Sequence, residues 1–353
     1  MNKTVMTVNR LPVPTWNRLN MNGTDAEAFG AVVKGTVNVS LPRGVEISDA
    51  PQRCGDKSLE TDLDGPLSEA GIVPQVYAVS AGVAEPLRLD FTWGASSALN
   101  AVDIEAAENS RVSVIMDYGA AAAGSRGPAG VRTRLNLERN ARVTLIQFQQ
   151  LPDDMTFFND VAVQCADGAE AALVQLVQGG GKTYMGTTCV LKGASSVFTS
   201  DIGYIVKGRE SLDINSCVVH YGRRTSSRID ASGVLRGRAS KIFRGTIDFR
   251  RGALQAVGNE KEDVLLMDDG TVNQTIPLIL CEEEDVEGNH GATIGRLDDA
   301  LLFYMESRGL TRGQVYEMMA KARMAAVCGR ISDAKLRREM ASRLQEGGAE
   351  NDR

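Results

Sequence analysis

The sequence is poor in the residues that usually build metal sites, disulfide frameworks and stacking surfaces. It contains six cysteines and two histidines in 353 residues, and aromatic residues make up 5% of the chain. The scarcity of aromatic residues argues against a surface that stacks on bases or sugars. The cysteines show no Cys-x-x-Cys pair and no framework spacing, which excludes a conventional structural zinc site and a disulfide scaffold. We therefore expect reduced thiols at Cys54, Cys165, Cys189, Cys217, Cys281 and Cys328.

Long hydrophobic runs are also missing. No run approaches the roughly 20 apolar residues that a membrane-spanning helix needs, and Met1–Arg10 lacks the apolar core of a secretory leader. We therefore expect a cytoplasmic protein with no membrane partner. The 39 basic and 45 acidic residues give a formal net charge of −6. This balance argues against a nucleic-acid partner, because phosphate affinity depends on a basic surface.

The middle of the chain has the sequence pattern of a repetitive β protein. Between residues 76 and 286, short apolar runs alternate with polar residues, as in Leu135-Asn-Leu137, and a small residue recurs after a corner, as in Asn140-Ala141 and Gly168-Ala169. Alternation of period two predicts strands. Strands that repeat without helices between them can stack in rungs about 4.8 Å apart, which predicts a β-solenoid. A β-sandwich is the rival fold, but the Asn-Gly hairpin signals expected of it are missing from this span.

The two ends of the chain differ from this middle part. After Gly295, Asp298 predicts the start of a helix that Gly309 ends, Thr311 and Gln314 form a capping box for a second helix, and Ser332 begins a third. We predict three domains: an irregular N-terminal region with short strands (1–75), a solenoid core (76–295) and a small helical domain (296–353).

Two local motifs resemble functional sites but favour structural roles. Gly179-Gly-Gly-Lys182-Thr183 resembles the end of a phosphate-binding loop, yet Leu176 stands where that loop needs glycine, and a strand rather than a helix follows. We predict a glycine-rich corner there, without ATP binding. Cys217 and His220 are three residues apart, so a strand directs them to opposite faces. We predict a buried thiol and an outward or corner imidazole rather than a shared metal.

Residues 207–251 carry a strong excess of basic over acidic residues. Such a span can form an electropositive face that docks an acidic partner. We favour the other interpretation, in which these charges lie in solvent on the outer faces of strands.

The strongest group of functional residue types lies between Cys281 and His290. A thiol, the carboxylates of Glu284 and Asp285 and an imidazole gather where the solenoid is predicted to end. Ligands of this mixed kind can hold a thiophilic or borderline metal transiently. The nearby carboxylates are expected to raise the pKa of the thiol, which makes Cys281 a poor nucleophile.

This stretch resembles the C-terminal signature of the SufB/SufD family of iron–sulfur cluster assembly proteins. The resemblance is carried by Glu284-Asp285-Val286, His290-Gly-Ala-Thr293, Gly295-Arg-Leu-Asp298, Leu302-Phe-Tyr304 and Ser307-Arg-Gly309. It continues less sharply through Phe243-Arg-Gly245, Leu265-Leu266 and Thr275-Ile-Pro277, and the opening Leu11-Pro-Val-Pro-Thr-Trp16 is similar as well. The sequence that begins at His290 is closer to that of SufD, since the corresponding sequence of SufB usually reads His-Glu-Ala-Thr.

The resemblance implies a right-handed parallel β-helix with a C-terminal helical domain, acting as a scaffold subunit and not as an enzyme. It implies a SufB-type partner at the end of the β-helix and the ATPase SufC at the helical domain, where we expect Tyr304, Arg308 and Met318 to contribute. His290 falls where the family handles iron or a nascent cluster at the subunit interface. We expect a transient iron–sulfur cluster or iron there, with His290 as a transient metal ligand and no stably bound cofactor.

The chain departs from the family at Gly288, where some SufD relatives have a cysteine two residues before the histidine. Cys281 is therefore a weaker candidate than His290, and Glu284 and Asp285 accompany it. The N-terminal part is short for the family, so we expect a helical N-terminal domain to be missing. The alternatives are a SufB-like or homodimeric scaffold and a self-assembling structural solenoid. A polysaccharide-degrading solenoid is disfavoured by the few aromatic residues.

Overall fold

A computed structural model describes residues 5–48, 59–80, 82–120 and 127–346. The strands are β1 (Val5–Val8), β2 (Thr24–Glu27), β3 (Val33–Lys34), β4 (Thr36–Ser40), β5 (Val45–Ser48), β6 (Gln75–Val79), β7 (Leu87–Trp93), β8 (Ala98–Ala106), β9 (Arg111–Ala120), β10 (Ala129–Leu137), β11 (Arg142–Leu151), β12 (Thr156–Cys165), β13 (Glu170–Gly179), β14 (Lys182–Leu191), β15 (Val197–Val206), β16 (Ser211–His220), β17 (Ser226–Leu235), β18 (Ser240–Phe249), β19 (Ala256–Leu266), β20 (Val272–Cys281) and β21 (Val286–Arg296). The helices are α1 (Asp64–Glu69), α2 (Asp299–Ser307), α3 (Arg312–Cys328) and α4 (Ala334–Glu346), and a 3₁₀ turn covers Asn17–Leu19.

Strands β6 to β21 form a parallel β-solenoid of about seven turns. Even-numbered strands stack in one sheet and odd-numbered strands in the other, and all the pairings among them are parallel and in register. Each turn therefore consists of two strands and two corners. The solenoid prediction is confirmed, and parallel pairing excludes the antiparallel β-sandwich.

One row of corners explains the repeat seen in the sequence. Its six corner residues have a positive φ: Asn109, Asn140, Gly168, Ser195, Arg224 and Gln255. The backbone N–H of each donates to a carbonyl of the next turn, for example from Asn140 to Asp167 over 2.9 Å. Since serine, arginine and glutamine take this left-handed conformation here, glycine does not mark the corner. The small buried residue that follows it, such as Ala141 or Ala169, is what the sequence repeats.

The interior of the solenoid changes character along its axis. Aromatic rings pack against one another in its first turns, where the ring centroids of Trp93 and Phe157 lie 5.2 Å apart and those of Tyr118 and Phe157 lie 5.0 Å apart. Burial of each such side chain stabilises the fold by about 1.5–3 kcal/mol. Towards the last turns charged side chains join the apolar ones in the interior, with Lys241 and Glu262 almost completely buried beside Phe243.

The N-terminal segment binds the outer face of the even-numbered sheet through a buried ion pair. Asp213 and Arg244 lie on adjacent strands with a side-chain separation of 2.5 Å. Arg244 also donates to the backbone carbonyl of Met21 over 2.8 Å and to the hydroxyl of Thr24 over 3.0 Å, and Asn9 donates to Asp213 over 2.7 Å. Three polar groups of the segment, from Asn9, Met21 and Thr24, are therefore bonded to this ion pair of the solenoid. The segment also contains α1, where the sequence predicts only short strands.

The basic span between residues 207 and 251 does not lie wholly in solvent. Arg244 and Lys241 are buried beside the carboxylates of Asp213 and Glu262. The interpretation that these charges solvate outer strand faces is therefore wrong for both residues. The physical reason is that each charge has a carboxylate within reach, from the adjacent strand for Arg244 and from the opposite sheet for Lys241, so the charge can be buried as a pair.

Three C-terminal helices follow the solenoid, and two of their predicted caps are confirmed. The Asp298 side chain accepts from the first N–H groups of α2, and Thr311 and Gln314 form the capping box of α3. The prediction that Ser332 begins the third helix is off by one residue, because the carboxylate of Asp333 accepts from the first N–H groups of α4.

Helices α3 and α4 pack on the outer face of the odd-numbered sheet. Their buried residues Met324, Val327, Met340 and Leu344 share an apolar cluster with Ile146 and Val174 of the sheet. Ion pairs border this cluster, including Arg88 with Glu339 at 2.6 Å. Within the described ranges, no helix is both long and apolar enough to cross a membrane.

The imidazole of His220 is buried beside the corner that follows β16, where an outward or corner imidazole was predicted, so the outward alternative is wrong. Its ring nitrogens lie 2.7 Å from the hydroxyl of Thr225 and 2.8 Å from that of Ser227, and its ring packs 4.9 Å from that of Phe249. These hydroxyl partners make burial of the imidazole tolerable. Cys217 lies half-buried on the other face of the strand, so the opposite-face prediction is confirmed. Burial lowers the pKa of His220 to about 4 and raises that of Cys217 to about 12.

We expect Arg244→Met to loosen the N-terminal segment, because it leaves the buried Asp213 without its cation. The free energy of unfolding should fall by about 3–5 kcal/mol, measured by urea denaturation. Limited proteolysis should cut the N-terminal segment faster. Arg238→Met removes an exposed arginine from the same region and serves as the control. Equal stability of the two variants would contradict the fastening role.

We expect His220 to destabilise the fold in acid. Its folded-state pKa of about 4 lies below the ordinary 6.5, so the unfolded chain binds the proton more readily. The contribution of His220 is therefore complete above pH 6.5 and is lost as the pH falls towards 4, by up to about 3 kcal/mol. Urea denaturation as a function of pH should show a weaker loss in His220→Gln. Val272→Ala, which changes an exposed side chain that does not titrate, should keep the wild-type slope.

Candidate functional site

The last turn of the solenoid has an open edge. Strand β20 pairs with β18 and strand β21 pairs with β19, and no further strand covers them in the part of the chain that the structure describes. The first turn differs, since β4 and β5 cover it in antiparallel pairing. The backbone groups along the edges of β20 and β21 are therefore free to pair with another chain.

His290 and Cys281 both face the interior side of this open turn. In a parallel ladder, side chains in register point the same way. His290 is in register with the buried Glu260, and Cys281 is in register with the buried Phe249. Because no further turn covers them, both side chains remain exposed.

The two residues do not form one ligand set within the chain. The Cys281 thiol donates to the backbone carbonyl of Glu283 over 2.9 Å. His290 lies four residues beyond Val286, the first residue of β21, which places it about 13 Å along the strand from the corner. Across the described residues, no three side chains of histidine, cysteine, aspartate or glutamate cluster for a metal ion.

The acidic run after Cys281 forms the rim of a recess at the corner. The recess has a volume of about 630 Å³ and is lined by Phe249, Ile279, Cys281, Glu282, Glu283, Glu284, Val286 and Gly288. The Glu283 carboxylate accepts from the backbone N–H groups of Gly252 and Glu284, and these bonds lower its pKa. The side chains of Glu284 and Asp285 are exposed at this corner. Oxygen ligands are therefore available beside the thiol, at a distance from the imidazole.

A buried ion pair that was not predicted from the sequence lies beneath the open turn. Lys241 and Glu262 form an ion pair that is almost completely buried, and Thr275 donates to Glu262. The Lys241 ammonium also lies 5.9 Å from the centroid of the Tyr204 ring. Burial lowers the pKa of Lys241, and burial together with Glu262 raises the pKa of Glu260 to about 8. The sequence offered one indication of this ion pair, the alternation Glu-Lys-Glu over residues 260–262. It indicates buried carboxylates only when it is known which residues of β19 point into the interior.

The predicted ATPase-binding residues lie on the outer surface of α2 and α3. Tyr304 and Met318 are 51% and 44% exposed, and Phe303 of the same helix as Tyr304 is 73% exposed. The Arg308 guanidinium lies 5.1 Å from the centroid of the Tyr304 ring. Large apolar side chains at such exposure are typical of a surface that binds another protein.

Other motifs from the sequence have structural roles. Strand β13 ends at Gly179 and β14 begins at Lys182, which confirms the glycine-rich corner. Cys54 lies outside the described residues, and the other five cysteines are free thiols.

Comparisons with known proteins agree with the sequence signature. A family model for the SufBD core domain of SUF-system FeS cluster assembly matches residues 92–350. The iron–sulfur cluster assembly protein SufD of Bacillus subtilis is 24% identical over 165 residues, which cover 47% of this chain and 38% of that protein. The Escherichia coli SufD is 25% identical over 225 residues, covering 62% and 53%. The Bacillus subtilis SufB is 29% identical over 132 residues, covering 37% and 28%. The chain thus spans about half the length, or less, of these relatives.

Proposed function

We propose that this chain, which belongs to the SufB/SufD family of iron–sulfur cluster assembly proteins, acts as a SufD-like scaffold subunit of the SUF system. In this role it helps to assemble a nascent cluster at an interface with a SufB-type partner, while the ATPase SufC supplies the energy. The chain contributes a surface and ligands rather than catalysis, so it is not an enzyme. The observation that carries the proposal is the open last turn of the solenoid, where His290 faces the interior from an edge strand that is paired on one side only.

The open edge is the proposed surface for the SufB-type partner. Unpaired backbone donors and acceptors along β20 and β21 favour a second sheet edge as the occupant. A partner with a similar open end would continue both sheets and cover the exposed residues of β21. His290 would then lie inside the joined interior, excluded from bulk water.

The proposed site supplies only part of the ligands that an iron–sulfur cluster needs, and the partner supplies the rest. Imidazole is a minority ligand of iron–sulfur clusters, and thiolates are the majority. Since Cys281 lies at the corner and His290 lies further along β21, most of the thiolates must come from the partner. The cluster or iron is therefore transient cargo, and no cofactor is held stably. Glu284 and Asp285 supply oxygen ligands for iron at the rim.

The helical domain is the proposed site for SufC. Tyr304, Arg308 and Met318 form its exposed surface. On the other side, α3 packs against the solenoid through Met324 and Val327. A rigid packed body can transmit a movement from one interface to another. Movement of the ATPase would thus reach the open end and change access to His290.

A SufB-like or homodimeric role is the second candidate, and the similarity to the Bacillus subtilis SufB favours it. The same open edge would accept a second copy of this chain. Purification of the chain from its native host separates the two roles, because a SufD-like subunit brings a SufB-type chain with it and a homodimer does not. We also propose a cytoplasmic location, since the free thiols of the described cysteines suit a reducing compartment.

We expect His290→Ala to lower cluster maturation by about tenfold or more, in the range found when a metal site loses a supporting group. The activity of an iron–sulfur enzyme in cells that depend on this system measures the effect. Folding should be unchanged, because the ring is exposed. Glu287→Ala, on the same strand but the opposite face, is the matched control. Normal maturation in the His290 variant would refute the site.

We expect Tyr304→Asp and Met318→Glu to weaken SufC binding, because each places a charge in an exposed apolar surface. Co-purification of SufC should fall by about tenfold, which corresponds to about 1.4 kcal/mol. Arg338→Ala changes an exposed residue of α4 and should have no effect. Undiminished co-purification with both helix variants would place the ATPase elsewhere.

A further inference from the structure

Glu260 lies directly beneath His290 in the interior of the solenoid. It is in register with His290 of the last turn on one side and with Ile229 of the preceding turn on the other. Across the interior it faces Gly245, where an added Cβ would collide with both carboxyl oxygens. Glycine at this position therefore makes the space that the carboxyl occupies.

The Glu260 carboxyl is buried with one oxygen unsatisfied. The residue is 5% exposed, and its Oε2 atom has no hydrogen-bond partner. An unsatisfied buried acceptor costs about 1–3 kcal/mol. The arrangement is therefore incomplete, and a donor at this oxygen would stabilise it.

Of the two residues in register with Glu260 on its own sheet, Ile229 offers no donor and His290 does. On the opposite sheet, Gly245 has no side chain and the Lys241 ammonium is bound to Glu262, so the buried Ser216 hydroxyl, in register with Gly245, is the competing donor. His290 carries a ring N–H and stands one strand spacing away, about 4.8 Å between backbones. Because the ring is exposed, a change of rotamer occurs in picoseconds to nanoseconds and meets no packing barrier. The imidazole can therefore reach the free oxygen.

We propose that Glu260 is the hydrogen-bond partner that positions the imidazole of His290. The bond fixes the orientation of the ring and directs its second nitrogen towards the open end, where a metal or cluster would be met. Metal-binding histidines commonly bond a carboxylate through the nitrogen that does not bind metal. Glu260 is a positioning residue, since it acts through His290. The inference rests on the function proposed above for His290.

Nuclear magnetic resonance of the full chain with ¹⁵N-labelled histidine tests the contact. The chain has only two histidines, and His290→Ala assigns their signals. His220, held by two hydroxyl groups, is the internal reference. Glu260→Leu removes the partner, Glu260→Gln keeps a hydrogen-bonding group, and Glu287→Gln removes a carboxylate from the outer face of the same edge strand as the control.

In the wild type, the ring nitrogens of His290 should show one dominant tautomer with a hydrogen-bonded N–H. Glu260→Leu should give the averaged signals of a free imidazole, while Glu260→Gln should stay near the wild type and Glu287→Gln should match it. Gly245→Ala, which displaces the carboxyl without removing it, should move the signals towards those of Glu260→Leu. Identical His290 signals in the wild type and in Glu260→Leu would overturn the proposal.

Cluster maturation in cells supplies the second measurement. Glu260→Leu should lower it by about tenfold, and Glu260→Gln should restore most of it. A purely structural role would lower thermal stability without changing the His290 signals. If His290→Ala proves harmless in cells, the proposed function fails, yet the spectra still decide whether Glu260 holds the ring. If His290→Ala abolishes maturation but the spectra show no contact, the function stands and Glu260 has no positioning role.

Discussion

The in-register stacking of each turn on the next is the constraint on which the rest of the molecule depends. Backbone groups of a strand in one turn bond to the same sheet in the next turn, so every turn completes its neighbour and the last one is left incomplete. The first turn is completed by the antiparallel strands β4 and β5. In the part of the chain that the structure describes, one end of the solenoid is thus covered by other strands and the edges of the other end are open. The location of the proposed interface follows from this asymmetry.

The same stacking arranges side chains in columns that run along the axis. Asp213 and Arg244 meet because they occupy adjacent strands of one sheet, and this pairing lets a charge be buried where isolated burial would be prohibitive. The column that begins at Ile229 continues through Glu260 and ends at His290. An exposed residue of the last turn therefore has a buried neighbour of defined identity beneath it, which a loop on a surface would not provide.

Part of this organisation could be predicted from the sequence, and the limits are physical. Alternation predicted the strands, and the capping residues Asp298 and Thr311 predicted the helices, because both signals are local. The burial of His220 and Lys241 could not be predicted in this way. Which residues of a strand point into the interior depends on the geometry of the corners and on partners in other turns. The corners themselves take the left-handed conformation at Ser195 and Arg224, where no glycine announces it. His290 was found through a family signature, whereas Glu260, more than two dozen residues earlier, became visible only through the register.

The charged groups in the interior near the open end do not stabilise the fold as well as apolar residues would. Apolar replacement of a buried ion pair such as Lys241 with Glu262 is often neutral or stabilising, and the unsatisfied oxygen of Glu260 adds a further cost. The first turns show that this chain can fill the same interior with packed aromatic rings. Polar groups are not confined to this end, since the amides of Gln147, Asn159 and Gln175 are buried and hydrogen-bonded to one another in earlier turns. Among the described residues of the interior, however, the buried carboxylates and ammonium group lie in β18 and β19, next to the edge that the proposed partner would cover. Buried charges and an unsatisfied acceptor at one end of the core are expected where a protein gives up stability for function. On this argument the proposed functional end of the solenoid extends inward from His290 by at least one turn.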